Sequence, residues 1–165
     1  YGLQNGPLRE DQPTDPVNCY AIAKDALRRA IATRCEQKGV HWSWGRIFYP
    51  YGQGQNQNSL LPSVQRALEA GEPCFSMSSG RQIRDFVPVD NIANMLIMLA
   101  THSDAHGIYN CASGVPISLR EIVENRIKSF PSQMTLKFGV YQDRPDEPVA
   151  FWADIKKIDQ LLKSL

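Results

Sequence analysis

Stretches with the spacing of a helix alternate along this chain with short, β-rich apolar runs. That alternation narrows the fold more than any other feature. A helical run opens near Asp15-Pro16, where Asp reads as a cap and Pro as a first-turn residue. Val17, Ala23, Leu27, Ala30 and Ile31 recur at near-helical spacing, and Gly39 closes the run. "VHWSWGRIF", residues 40–48, then reads as a buried strand. After the Gly/Gln/Asn loop "YPYGQGQNQNS", residues 60–70 return to helix with Leu60, Leu61, Val64 and Leu68 on one side. "CFSM" and "DFVPV" are short strands around a polar turn, and Asp90 is positioned to cap a helix carrying Ile92, Met95, Leu96 and Leu99. "GIYNCA" is a further strand, and Ser118 to Glu121 forms a capping box ahead of Ile122, Val123 and Ile127. "MTLKFGV" is a strand, "YQDRPDEP" a loop, and 154–163 a last helix; residues 1–14 read as loop. Strands alternating with helices make an α/β protein.

Composition excludes several functions. Net charge is +1 with Lys and Arg scattered, which gives no electrostatic case for nucleic acid or a membrane surface. No run approaches a membrane span, and no N-terminal signal pattern is present. Cys19, Cys35, Cys74 and Cys111 form no C-x-x-C pair and read as free thiols in a reducing compartment, so the expected location is cytoplasmic. His41, His102 and His106 lack H-E-x-x-H spacing, and no metal site is expected.

Tyr20 and Lys24 stand four residues apart and share one face of the first helix. An ammonium beside a phenol favours the phenolate, and a phenol so tuned exchanges protons near neutral pH. Taken alone, the pair reads by default as a solvated helix face. Four longer stretches extend it: "YAIAKDALRRAIATRCEQKGVHWSWGRIFYPYGQG", "GRQIRDFVPVDNIANML", "GIYNCASGVPISLREIV" and "DRPDEP". In this order and at these spacings the chain resembles the extended short-chain dehydrogenase/reductase family, the nucleotide-sugar epimerases and dehydratases. The resemblance covers nearly the whole chain but only the C-terminal half or so of a family member.

That resemblance implies a fold and a site. Residues 1–52 would complete a Rossmann-like parallel sheet domain whose N-terminal part lies outside this sequence. Residues 53–165 would form a smaller α/β substrate-binding lobe, with 107–112 returning to the sheet. Tyr20 would be the catalytic acid/base, and Lys24 would lower its pKa and hold the nicotinamide ribose. The family's Ser or Thr about two dozen residues before the Tyr would precede residue 1, and Tyr1-Gly2 resembles the end of that segment. The cofactor would be NAD or NADP in the longer protein. The sequence contains no G-x-x-G-x-x-G, and an Asn/Gln loop rather than a helix follows "GQGQNQ". The chain alone is therefore expected to bind no dinucleotide and to be inactive, with "GQGQNQ" a substrate-side loop.

On the substrate side, the resemblance assigns Arg84 of "R-D-F" to a nucleotide-sugar diphosphate, which a guanidinium fork binds well. Arg144 and Glu147 of "R-P-D-E" match a second Arg and an acid near the nucleotide ribose; Asp146 stands where the family has Gly. Tyr49-Pro50 replaces a family Asn-Val, so Tyr49 takes the place of a substrate-touching Asn and reshapes the pocket. Leu60, Leu61 and Val64 read as base-flanking or as ordinary core. Arg46 reads as structural. Helix 16–38 implies a homodimer. The implied activity is epimerase or dehydratase. The alternatives are a ketoreductase of the same family and a non-catalytic nucleotide-sugar-binding module.

Overall fold

The computed structural model describes residues 1–145 and 147–164; Asp146 lies outside them. The chain is α/β, and its strands pair mostly in parallel. Strand β1 (Gly6–Leu8) leads into helix α1 (Cys19–Lys38), followed by β2 (Ser43–Ile47), β3 (Tyr49–Tyr51) and α2 (Leu60–Glu69). Next come β4 (Cys74–Ser76), β5 (Ile83–Pro88), α3 (Val89–Thr101), β6 (Gly107–Cys111) and β7 (Pro116–Ser118). Helix α4 (Leu119–Lys128), β8 (Thr135–Lys137), β9 (Phe151–Ala153) and α5 (Lys156–Leu162) complete the order. β2 runs parallel to β6 in the register Ser43↔Gly107 to Ile47↔Cys111. The pairs β1–β9, β3–β5 and β4–β8 are also parallel, and β7 adds to β5 antiparallel.

Three apolar clusters hold these elements. Met98 and Leu99 of α3 meet Tyr109 and Cys111 of β6 and Ile158 and Leu161 of α5. Val64, Ala67 and Leu68 of α2 pack on Met77, Met134 and Val123 of α4. Leu8, Phe48, Ala112 and Ala153 join the ends of four strands. Each fully buried aliphatic side chain stabilises by about 1.5–3 kcal/mol relative to exposure. β2 lies close against α3: a Cβ at Gly45 would stand 2.8 Å from Leu96 and 2.9 Å from Cys111 Sγ, so only Gly fits there unless the neighbours move.

Several expectations change. The cap of α1 is Asn18, whose Oδ1 accepts from Ala21 N at 2.9 Å, rather than Asp15. Gly39 does close the helix, in the left-handed conformation. Val17, Ala23, Leu27, Ala30 and Ile31 are exposed, and Ala21, Asp25, Arg28, Ala32 and Cys35 form the half-covered face. Alanine and arginine stems thus cover the contact that the apolar pattern assigned elsewhere. Strand 40–48 is shorter and half-buried, because among the described residues β2 pairs with β6 alone. Asp90 sits in the first turn of α3, where its charge complements the helix dipole, and Pro88 precedes the helix. The last helix starts at Lys156 rather than 154. β1, β3, β7 and β9 are short strands within segments whose sequence carries no strand signal. The capping box at Ser118 is present, with its hydroxyl accepting from Glu121 N at 3.0 Å.

Candidate active site

The first cleft, of about 480 Å³, lies between α1 and the end of β2. Tyr20 and Lys24 line it together with Thr14, Asp25, Arg46 and Tyr49. Helical geometry places Lys24 Nζ 5.8 Å from the centre of the Tyr20 ring, and Tyr20 is 73% exposed. Asp25, the residue after Lys24, ties α1 to the preceding loop. Its carboxylate accepts from Arg28 at 2.8 Å, Arg29 at 2.7 Å and Thr14 at 3.2 Å. Burial opposes ionisation of Asp25, but the two arginines outweigh it and hold the carboxyl below its ordinary range. Arg46 stacks on the Tyr1 ring at 4.4 Å and reaches the Glu10 carbonyl at 3.4 Å, so it fastens the strand end as expected. Tyr1 hydrogen-bonds Asn110 Oδ1 at 2.5 Å, and burial raises its phenol pKa.

The second cleft, of about 640 Å³, opens between α2, β4 and the loop after β8. Tyr49, Arg84, Arg144 and Glu147 all line it, so three segments far apart in sequence converge. Arg84 Nη2 contacts Glu147 Oε2 and Arg144 Nη1 contacts Glu147 Oε1, each at 3.0 Å. Arg84 is 1% exposed; Nε donates to the Tyr49 hydroxyl at 3.3 Å and Nη1 to the carbonyls of Ile83 and Val149 at 2.8 and 3.4 Å. Its guanidinium also lies 4.7 Å from the Phe151 ring centre. Gln55 and Asn58 of the Gly/Gln/Asn loop and Leu60 and Leu61 of α2 line the cleft, whereas Val64 is core. Tyr49 lines both clefts, its ring held by Phe86 and Phe151 at 5.6 and 5.8 Å.

Two supporting residues lie inside the resembling segments, Asp85 in "RDF" and Asp143 in "DRPDEP", but take no role from the sequence. Asp85, fully buried, accepts from Ser113 N and Oγ, Gly114 N and Ala153 N between 2.6 and 3.1 Å. Asp143 accepts from Ser79 N at 3.2 Å and Gln82 Nε2 at 2.8 Å, bonds that lower its carboxyl pKa to about 2. The surplus of donors facing each carboxylate is the signal, and it exists only in three dimensions. Among the described residues no cluster of His, Cys, Asp and Glu could hold a metal ion.

A mostly parallel α/β chain with Tyr-x-x-x-Lys on the helix before β2 agrees with the class that the sequence resembles, the extended short-chain dehydrogenases/reductases. Within that class the chain belongs to the NAD dependent epimerase/dehydratase family, whose model matches residues 1–112. The dTDP-6-deoxy-L-talose 4-dehydrogenase (NAD(+)) of Aggregatibacter actinomycetemcomitans is 30% identical over 148 residues, 89% of this chain and 54% of that protein. The GDP-6-deoxy-D-mannose reductase of Pseudomonas aeruginosa is 28% identical over 134 residues, 72% of this chain and 40% of that protein. The structure of UDP-N-acetylglucosamine 4-epimerase from Methanobrevibacter ruminantium M1, in complex with UDP-N-acetylmuramic acid, matches with a TM-score of 0.86 at 29% identity. It covers 98% of this chain and 53% of that one. The chain spans about half the length of the relatives it matches.

Proposed function

We propose that this chain supplies the proton-transfer pair and the nucleotide-sugar side of an NAD(P)-dependent epimerase or dehydratase. One observation carries the reading. Tyr49 forms a shared wall between the Tyr20–Lys24 cleft and the arginine cleft, so one extended ligand can touch both. Tyr20 takes or returns the proton of a sugar hydroxyl. Lys24, one turn further along the same helix face, donates to the nicotinamide ribose. Arg84 and Arg144 face the diphosphate, Glu147 belongs to the same grip, and Tyr49 lies beside the sugar. The exposed hydroxyl of Tyr20 and the ammonium of Lys24 on an open cleft wall fit the nicotinamide end of a dinucleotide. When bound, NAD(P) supplies hydride exchange, and the proton is the share of this chain.

Residues 1–52 then form the cofactor-side domain and 53–165 the substrate lobe, with 107–112 in the first sheet; the β2–β6 pairing supports this division. A nucleotide-sugar 4-dehydrogenase or reductase is the second reading, favoured by the activities named for two relatives. Ile22, Leu27 and Ile31, exposed on α1, support a homodimer through helix 16–38. Among the described residues no helix is long and apolar enough to cross a membrane. Four free cysteines support a cytoplasmic location.

The test is turnover. In the NAD-dependent enzyme that carries this chain, Tyr20→Phe lowers kcat by about 10²–10⁴-fold, the usual contribution of a general acid/base. A loss of less than about threefold would contradict the assigned role. The 165-residue chain alone, given NAD and nucleotide sugars, is expected to turn over none of them, and measurable turnover would remove that part of the reading.

A further inference from the structure

We propose that Glu147 is a built-in counter-anion: it holds Arg84 and Arg144 as a two-guanidinium fork and gives way to a phosphate of the ligand. This rests on the reading that the arginine cleft takes a diphosphate. A guanidinium offers five N–H donors. In Arg84 they meet the Tyr49 hydroxyl, the carbonyls of Ile83 and Val149, and Glu147. With 1% exposure, Arg84 has no open approach for an anion. One of its partners must leave first.

The partners are not equally fixed. Ile83 is held in β5, the Val149 carbonyl is tied to Ile83 N at 3.0 Å, and Tyr49 is held in β3 between two aromatic rings. Glu147 sits on a loop, its side chain is 34% exposed, and it alone of these partners carries charge. Its two oxygens serve the two arginines one each, at 3.0 Å. A phosphate offers the same pattern of paired oxygens. The charges also favour exchange over addition. Two cations and one carboxylate leave one net positive charge, and a bridging diphosphate carries two negative ones. With Glu147 still bound, the ligand would face a like charge within the same fork.

The loop does not depend on Glu147 for its anchor. Asp143 fastens it separately to Ser79 and Gln82. Release of Glu147 therefore frees the arginines without freeing the loop. In this role Glu147 is a positioning residue, which differs from an acid that binds ribose.

Inorganic pyrophosphate separates the two, since it has neither ribose nor base. Calorimetric titration of the 165-residue chain at low salt is expected to show Glu147→Gln binding pyrophosphate about tenfold more tightly than wild type, the size of one charge-assisted contact regained. Unchanged or weaker pyrophosphate binding by a folded Glu147→Gln chain would overturn the proposal. So would a loss seen with UDP but not with pyrophosphate, the mark of a ribose contact. Should Glu147→Gln fail to fold, Glu147→Asp decides. It keeps the charge, but one methylene shorter it cannot span both guanidinia. Tighter pyrophosphate binding is expected, and no change overturns the counter-anion role. A failed diphosphate reading looks different: no form binds pyrophosphate, or Arg144→Gln binds it as well as wild type. Either result removes both claims together.

Discussion

Asp85 shows how much one side chain can carry. It is fully buried and takes four donors from two separate segments: Ser113 and Gly114 in one, Ala153 in the other. Asp85→Asn replaces one acceptor atom with an N–H facing N–H groups. Leaving buried donors unsatisfied costs about 1–3 kcal/mol each. A loss of about 3 kcal/mol is expected in urea unfolding, and a loss below the error of the fit would contradict the hub role. The cysteines give a second residue-scale test. Burial, with a smaller contribution from Glu10, pushes the Cys111 thiol up to about 11, while Cys19 is exposed. At pH 8 a thiol reagent is expected to label Cys19 quickly and Cys111 only after unfolding. Rapid labelling of Cys111 in the folded chain would refute its burial. Neither role could be read from sequence. "RDF" marks Arg84 and Asp85 as neighbours, but the donors that define Asp85 lie 28, 29 and 68 residues away.

At the scale of elements, legibility followed length. α2, α4, β5 and β6 lie close to where periodicity and caps put them, because each carries a consistent local pattern. The three-residue strands β1, β3, β7 and β9 were invisible, since pairing with distant partners creates them: Gly6–Leu8 extends only against Phe151–Ala153. The face of α1 was misassigned for a related reason. Its covered stripe uses Ala21, Asp25 and Arg28, and ion pairs rather than apolar mass fasten it. The loop at Asp143 gives a pH prediction. Its carboxyl, lowered to about 2 from 3.8 by bonds from Ser79 and Gln82, titrates below its unfolded value. Its stabilising contribution is therefore complete above pH 3.8 and fades as pH falls towards 2. Asp143→Asn is expected to lessen the fall in Tm between pH 5 and pH 2.5, within an interval set by that single group. An unchanged acid limb in the variant would show that the bonds contribute nothing. In the core between α2 and α4, Leu68→Ala is expected to cost about 2–5 kcal/mol in urea unfolding, since Leu68 is 3% exposed there.

For the whole molecule, convergence is the main result. Tyr49, Arg84, Arg144 and Glu147 came from three separate sequence segments, and the fold brings them into one hydrogen-bonded set. Resemblance named these positions; it could not show that Arg84 is buried, that Glu147 joins both arginines, or that Tyr49 spans two clefts. Those facts depend on β3 lying beside β5 and on the loop after β8 folding back over it. The proposed function requires the two clefts to form one ligand path. The most direct measurement is a titration of the isotope-labelled 165-residue chain by NMR, first with UDP and then with UDP-glucose, repeated with the dTDP and GDP pairs. For the matching nucleotide, the diphosphate is expected to shift signals of Tyr49, Arg84 and residues 141–145, and the attached sugar to extend the shifts to Tyr20 and Lys24. Shifts confined to the arginine cleft with every sugar would separate the two clefts and contradict the account.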